Sequence, residues 1–212
     1  MYCVSIGIQD YNRAFEVIKG FEMAEIRLDL CEFDRRQIKE IFSSHKNLIA
    51  TYRQGNSTLN YRDSILKTAI ANGAKWLDLD MTHNEDSYIE EMCDFCKGYN
   101  TKMILSIHNY KETPEIDEMQ EHIHIAQNFG SDIVKLVFFS NSKEDNKKVL
   151  SLYKENDNIV AFNMGEIAKC TRIKALELGA PFTYVSLKKA KTAPGQMTIE
   201  EIKNIHNLKE EE

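Results

Sequence analysis

Short apolar runs rich in β-branched residues alternate along the chain with longer segments in which apolar residues recur every three to four positions. The runs are typical of buried strands, and the longer segments are typical of amphipathic helices. Eight strands are predicted: Cys3–Ile8, Ala24–Leu30, Asn47–Arg53, Lys75–Asp80, Lys102–His108, Asp132–Phe139, Ile159–Asn163 and Phe182–Leu187. Eight helices are predicted to follow them: Tyr11–Lys19, Asp34–Phe42, Tyr61–Asn72, Ser87–Tyr99, Pro114–Phe129, Lys143–Tyr153, Glu166–Leu178 and Ile199–Leu208.

Turn chemistry supports these boundaries. Gly73, Gly130 and Gly179 each follow a predicted helix, where glycine readily adopts the left-handed conformation that ends helices. Pro114 is predicted in the first helical turn after Thr113 as the N-cap. Strands that alternate with helices predict a parallel sheet with helical crossovers.

Two parallel architectures compete, a closed (β/α)₈ TIM barrel and an open doubly wound sheet. Eight units in 212 residues give about 26 residues each, near the short end for a barrel. The open sheet would be expected to carry a glycine-rich loop after its first strand, but the residues there are Ile8-Gln9-Asp10-Tyr11. The sequence therefore predicts a single α/β barrel domain over residues 1–212.

Composition and charge narrow the function classes. With 27 basic and 33 acidic residues the net charge is −6, which argues against a dedicated nucleic-acid or anionic-membrane binder. The N-terminus lacks a secretory signal pattern, no apolar run approaches a membrane span, and the five cysteines are scattered. We expect a cytoplasmic location. Cys93 and Cys96 lie within a predicted helix, so core or surface thiols are favoured over a redox or zinc site.

Charged residues interrupt several predicted strands, although parallel strands are usually almost wholly apolar. Glu25, Arg27 and Asp29 alternate along the second strand and so point to one face. Other polar residues lie mostly toward the C-terminal ends of later strands: Arg53, Asp78, Asp80, Ser106, His108 and Lys135. Buried charges must pair with each other or with a ligand. Because barrel active sites lie at those strand ends, the pattern predicts a charged pocket there.

Lys135 has apolar neighbours on both sides along its strand, and lysine is rarely buried. Desolvation and cations such as Arg27 or Arg53 would favour the neutral amine that forms a Schiff base. A satisfied core histidine is the alternative for His108, and a structural ion pair is the alternative for Glu25 with Arg27. No histidine, cysteine or carboxylate spacing is typical of a metal site, so we expect chemistry by side chains alone, without metal or cofactor.

Five stretches of the chain carry a resemblance to one family. They are Glu25-Ile26-Arg27-Leu28-Asp29; Ser106-Ile107-His108-Asn109-Tyr110 with Thr113-Pro114; Asp132-Ile133-Val134-Lys135; Met164-Gly165 with Arg172; and Ala193-Pro194-Gly195-Gln196. In their order and approximate spacing they span nearly the whole chain. The chain resembles the type I 3-dehydroquinate dehydratases, the Schiff-base-forming dehydroquinases.

The resemblance implies a (β/α)₈ barrel that eliminates water from 3-dehydroquinate to give 3-dehydroshikimate in the shikimate pathway, which leads to chorismate and the aromatic amino acids. Lys135 would form an imine with the C3 ketone, and His108 would take the C2 proton and assist loss of the C1 hydroxyl. Arg172 would bind the substrate carboxylate, and Thr192 and Gln196 would close over it as a lid.

The same resemblance implies further substrate contacts and a homodimer. The remaining residues expected to contact the substrate are Glu25, Arg27 and Arg53 at the C4 and C5 hydroxyls, Met164 and Tyr184 against the ring, and Ser5. Although the whole chain is acidic, the pocket would be locally basic through four cations: Arg27, Arg53, Lys135 and Arg172.

The stretch Arg53-Gln54-Gly55-Asn56 departs from the family pattern, in which a glutamate supports the catalytic histidine. Either Gln54 replaces that glutamate, or Asp78 or another group supports His108. Two alternatives to the dehydratase are a catalytically weakened barrel that binds a hydroxylated carboxylate and a Schiff-base aldolase on the same fold. Lys135 together with His108 disfavours the first, and the Ala-Pro-Gly-Gln stretch disfavours the second.

Overall fold

The computed structural model of the chain describes residues 1–53, 57–188 and 196–202. These residues form one sheet of eight parallel strands. The strands are β1 (Tyr2–Ile6), β2 (Ala24–Arg27), β3 (Leu48–Thr51), β4 (Trp76–Asp80), β5 (Lys102–Asn109), β6 (Ile133–Phe139), β7 (Ile159–Met164) and β8 (Thr183–Ser186). Each lies within one to three residues of its predicted ends, so the strand assignment is confirmed.

Helices connect successive strands. They are α1 (Tyr11–Ile18), α2 (Arg35–Ser44), α3 (Leu59–Ala71), α4 (Asp86–Gly98), α5 (Ile116–Asn128), α6 (Lys143–Ser151) and α7 (Lys169–Glu177). Short 3₁₀ turns lie at Met81–His83, Leu152–Lys154 and Glu166–Ala168, and residues 199–202 are helical up to the end of the described part. None of the helices seen in the described ranges is long and apolar enough to span a bilayer.

The sheet curls into a barrel. The hydrogen-bonded order is β7-β6-β5-β4-β3-β2-β1-β8, so the first strand pairs with both the second and the last. The edges formed by β7 and β8 are bridged by side chains, because the rings of Phe162 and Tyr184 lie 6.4 Å apart and α7 packs on both strands. The predicted (β/α)₈ barrel is confirmed.

Two apolar clusters account for the stability of this arrangement. One lies between the sheet and the helices, where residues such as Phe42, Leu66 and Phe138 are fully buried. The other fills the barrel interior with side chains from alternate strand positions. Its members are Cys3, Met23, Ile49, Ile104, Ile133, Val137, Val160, Phe162, Met164, Phe182 and Tyr184. The charged residues therefore lie next to this apolar cluster within the barrel.

Two predicted boundaries are wrong. Strand β2 ends at Arg27, because the Arg27 carbonyl accepts hydrogen bonds from the amides of Leu30 and Cys31 and the chain turns there. Asp29 thus lies in a turn and not on the strand. Helix α5 begins at Ile116 with Glu115 as its N-cap, so Pro114 precedes the helix.

Thr113 is not the N-cap because its hydroxyl serves two strands instead. It donates to the Phe139 carbonyl at 2.8 Å and accepts from the Asn163 amide at 2.7 Å. The buried hydroxyl therefore ties the loop after β5 to the ends of β6 and β7.

The predictions for the three glycines and for the thiols of Cys93 and Cys96 are confirmed. Gly73, Gly130 and Gly179 all have positive φ after a helix. Cys93 and Cys96 are free and buried on α4, and burial raises their thiol pKa values to about 11 and about 12. Over the ranges that the structure describes, no three potential ligands cluster as a metal site. Both thiols therefore belong to the apolar layer outside the sheet.

Gly165→Ala is expected to destabilise the fold by about 1–3 kcal/mol, because Gly165 has a φ of +102° that side chains other than glycine rarely adopt. An added Cβ would also lie 3.4 Å from the Phe139 ring. Thermal unfolding would measure a loss of about 2–4 °C per kcal/mol. Gly98→Ala is the matched control, since a Cβ at Gly98 meets nothing within 4 Å. Equal melting temperatures for both variants would contradict the prediction.

Candidate active site

A cavity of about 120 Å³ opens where the inward-facing polar residues meet at the C-terminal ends of the strands. Most of the predicted site residues line it: Ser5, Glu25, Arg27, Arg53, His108, Lys135, Met164, Arg172, Tyr184 and Gln196. Gln54 and Thr192 lie outside the described residues. The fold thus brings together predicted residues from six strands (β1, β2, β5, β6, β7 and β8), from the segment after β3 and from α7.

Lys135 lies in the middle of β6 and is only 5% exposed. Its Nζ donates to Asp78 Oδ2 at 2.8 Å and lies 4.0 Å from the centre of the Tyr184 ring. The charged groups that the sequence predicted near Lys135 were the cations Arg27 and Arg53, and the structure places a carboxylate in contact with it as well. The amine is therefore held at a fixed point in the cavity by a charge on one side and an aromatic face on the other.

Asp78 is fully enclosed and accepts three hydrogen bonds from side chains. Arg53 Nη2 and Lys135 Nζ donate to Oδ2 at 2.9 and 2.8 Å, and Ser106 Oγ donates to Oδ1 at 2.6 Å. Burial alone would raise the pKa of Asp78, but Arg53, Lys135 and His108 hold it well below its usual range. Asp78 is therefore an ionised counter-charge for the lysine and for Arg53.

His108 lies two residues beyond Ser106 on β5, and its partner is a different carboxylate. His108 Nδ1 lies 2.7 Å from Asp80 Oδ2. Burial lowers the pKa of His108 to about 4, and Arg53 and Lys135 act in the same direction while Asp80 opposes them. The sequence suggested Asp78 as a residue that could position this histidine, but the carboxylate that forms a hydrogen bond with the ring is Asp80.

The charges of the second strand are paired locally. Arg27 and Asp29 form a two-pronged ion pair at 2.9 and 2.6 Å, because the turn after β2 brings Asp29 back toward the strand end. Glu25 accepts hydrogen bonds from Ser5 and from Thr51 Oγ1, the latter at 3.0 Å. The structural ion pair considered for Glu25 and Arg27 is thus replaced by an Arg27–Asp29 pair.

Arg172 differs from the other cations of the cavity. It lies in the first turn of α7, is 3% exposed and packs its guanidinium 4.0 Å from the centre of the Phe162 ring. Within the described ranges no carboxylate lies within salt-bridge distance of it, and its Nε has no hydrogen-bond partner. Burial lowers its pKa to about 10, so it stays protonated at neutral pH.

The charge balance of the cavity follows from these pairs. The sequence predicted a pocket made basic by four cations, but Arg27, Arg53 and Lys135 each form an ion pair with an aspartate. Among these four cations, Arg172 is therefore the one with no carboxylate partner in the described part of the site. A buried, unpaired guanidinium fits a planar anion such as a carboxylate.

Some residues at the site were not predicted. Tyr110 stacks on His108 with ring centres 6.2 Å apart, and Phe162 lies beneath Arg172. Thr51 orients Glu25. Two signals could have found them: Phe162 lies two positions before Met164 on β7, and Thr51 lies two positions before Arg53, so each shares the inward face of its strand.

Comparison with known proteins identifies the family. The model of the family described as type I 3-dehydroquinase matches residues 2–212. The chain belongs to this family. A 3-dehydroquinate dehydratase of Methanococcus maripaludis strain C7 is 35% identical over 203 residues, which cover 93% of this chain and 92% of the relative.

Solved structures of type I dehydroquinases share the fold. A type I 3-dehydroquinate dehydratase from Clostridium difficile, described with covalently modified comenic acid, has a TM-score of 0.84 at 21% identity and covers 99% of this chain and 92% of its own. The 3-dehydroquinate dehydratase from Aquifex aeolicus has a TM-score of 0.82 at 22% identity and covers 98% of both chains. At identities of 21% and 22%, these structures show that the chain shares the barrel fold.

Proposed function

We propose that this type I dehydroquinase is a 3-dehydroquinate dehydratase, a hydro-lyase in the shikimate pathway, and that residues 1–212 form one catalytic barrel. The observation that carries the proposal is the combination in one cavity of a buried amine, a half-buried imidazole and a guanidinium that has no carboxylate partner among the described residues. These groups belong to Lys135, His108 and Arg172. The substrate, 3-dehydroquinate, offers a ketone, an acidic C–H bond and a carboxylate to match them.

Lys135 is proposed to form the imine. Lys135 first passes a proton to His108, the neutral amine then attacks the C3 carbonyl, and His108 returns the proton to the carbonyl oxygen, which leaves as water. The protonated imine carries a positive charge, and Asp78, 2.8 Å from Nζ, is placed to stabilise it. This cation withdraws electrons from C2 and makes the C2 hydrogen acidic.

His108 is proposed to remove that hydrogen. Its lowered pKa keeps the ring neutral near pH 7, so it can accept a proton from C2. The electron pair left at C2 flows into the imine, and its return expels the C1 hydroxyl. His108 then delivers its proton to that hydroxyl, which leaves as water, and hydrolysis of the imine releases 3-dehydroshikimate.

The remaining lining residues are proposed to hold the substrate. Arg172 would bind the carboxylate, with Gln196, which is buried beside the cavity, and Thr192 closing over it. Met164 and Tyr184 would contact the ring. The hydroxyls at C4 and C5 would be held by Glu25 and Arg27 of β2 and by Arg53, which follows β3, and Ser5 of β1 would be a further substrate contact.

The direct test supplies purified protein with 3-dehydroquinate. We expect the ultraviolet absorbance of a conjugated enone to appear, and borohydride added during turnover to fix the substrate on the protein as a stable secondary amine seen by intact-mass measurement. The weakened binding barrel would give neither signal. A Schiff-base aldolase would give no enone from 3-dehydroquinate. Absence of both the adduct and the enone would contradict the proposal.

Arg172→Gln is expected to raise KM for 3-dehydroquinate by about 10- to 100-fold, because a charge-assisted hydrogen bond contributes about 1.5–3 kcal/mol. Arg172→Lys, which keeps the charge but loses the planar fork, should fall between wild type and Arg172→Gln. Steady-state kinetics would measure both. An unchanged KM in Arg172→Gln would place the carboxylate elsewhere.

A homodimer in the cytoplasm is part of the same proposal. The family resemblance supports the dimer, and the five free cysteines, four of them buried, are suited to a reducing compartment. Light scattering of the purified protein should give a mass about twice the 24.5 kDa of the chain.

A further inference from the structure

We propose that Asp80 is a positioning residue that fixes His108 in the tautomer whose Nε2 is free to act as the base. The inference rests on the proposed role of His108. It is independent of the identity of the substrate, because the hydrogen bond that carries it joins two side chains of the protein.

The Asp80 carboxylate is held in place by groups other than the histidine. Its Oδ1 accepts from the Thr82 amide at 2.9 Å, and Arg53 Nη1 lies 3.6 Å from its Oδ2. The Asn84 side-chain amide donates to the Asp80 carbonyl at 2.5 Å and secures the backbone of the turn. The Asp80 carboxylate is thus fixed at the end of β4, and it determines the orientation of the imidazole that forms a hydrogen bond with it.

The protonation state of Asp80 determines the tautomer. Burial alone would raise the pKa of Asp80, but the hydrogen bond from His108 and the charge of Arg53 lower it, so the group is a carboxylate at neutral pH. A carboxylate only accepts hydrogen bonds, and the 2.7 Å contact therefore places the ring hydrogen on Nδ1. In the neutral ring Nε2 then carries the lone pair, and the ring lines the cavity.

The charges around the ring make this arrangement useful. Arg53 and Lys135 disfavour the imidazolium, Asp80 favours it, and Tyr110 stacks on the ring. Without Asp80 the two cations would act unopposed, and either ring nitrogen could hold the hydrogen. With Asp80 the base stays neutral in the resting enzyme, and its conjugate acid gains a partner at the moment it forms.

Asp78 provides a matched control because it lies on the same face of the same strand. It contacts Lys135, Arg53 and Ser106, whereas Asp80 contacts His108. Asp78→Asn and Asp80→Asn therefore remove one negative charge from nearly the same place. The first change should slow imine formation, and the second should impair proton transfer.

Nitrogen-15 NMR of histidine-labelled protein tests the pairing without any substrate, with the His108 signals assigned from a His108→Gln variant. We expect wild-type His108 to carry its hydrogen on Nδ1, and Asp78→Asn to keep that tautomer. Asp80→Asn should show a changed tautomer ratio and a lower His108 pKa. Wild-type His108 with its hydrogen on Nε2 would overturn the proposal, and this measurement holds even if Asp80→Asn does not fold.

Kinetics provides the second measurement. Asp80→Asn should lower kcat by about 10²- to 10⁴-fold, as expected for a misoriented catalytic histidine, with KM within about threefold. Borohydride trapping with 3-dehydroquinate should persist. Unchanged kcat with an unchanged tautomer would overturn the inference. If wild type shows the expected tautomer but no turnover, the Asp80–His108 pairing is supported and the proposed function is what fails.

Discussion

Lys135→Met is expected to lose both the borohydride-trapped adduct and the turnover of 3-dehydroquinate, with kcat reduced on the order of 10⁴-fold or more. Methionine has nearly the length of lysine and suits an apolar floor, but it has no amine to attack the ketone. Lys135 is the lysine that lines the cavity in the described residues, so no neighbouring amine there replaces it. Intact-mass measurement after reduction and the enone absorbance would record the two losses.

Lys135→Arg is the matched control. It keeps a cation beside Asp78 but lacks a nucleophilic amine, so it too should be inactive. Asp78 retains Arg53 and Ser106 as donors in both variants, which should preserve the fold. A borohydride adduct in either variant, mapped to another lysine, would show that the imine forms elsewhere.

His108→Ala is expected to form the imine and then stop. Because general acid–base catalysis by a positioned side chain contributes about 10²–10⁴-fold, kcat should fall by at least that factor while trapping persists. Loss of the ring also leaves a space beside Asp80 that exogenous imidazole could occupy. Single-turnover mass measurements should show accumulated adduct, and added imidazole should restore part of the rate.

His122→Ala is the control for this experiment. His122 lies on α5 with a side chain that is 31% exposed, and its ion-pair contact is with Glu118 on the same helix. Its removal should leave kcat within about twofold, since isolated surface pairs contribute little. Near-normal turnover in His108→Ala would mean that another group takes the proton.

The barrel could be predicted because each strand is a short apolar run and each helix has a clear period. The errors arose where tertiary contacts outweigh local preference. Pro114 suits a first helical turn, but Thr113 before it is engaged by β6 and β7 and delays the helix. The second strand was predicted to have seven residues, yet its last three form a turn, in which the Leu30 amide donates to the Arg27 carbonyl.

The site could be predicted in its members but not in its pairings. Alternation along the strands placed Lys135, His108 and Arg27 on the inward face, whereas Arg172 was predicted from the family resemblance. Which carboxylate meets which base depends on the register between neighbouring strands. Lys135 lies beside Ser106 across the β5–β6 pair, and Asp80 lies beside Ser106 across the β4–β5 pair, which no sequence pattern specifies.

Strand β4 sets the distance between the two reacting groups. Its carboxylates at Asp78 and Asp80 are two residues apart, about 6.5–7 Å along an extended chain, and they anchor Lys135 and His108 respectively. Lys135 would react at the imine carbon and His108 at the adjacent C–H bond, and the two-residue repeat of β4 sets the spacing of the carboxylates that hold them. A change of one residue in the length of β4 would turn one of the two carboxylates toward the helices, so chain length is more tightly constrained here than in the surrounding loops.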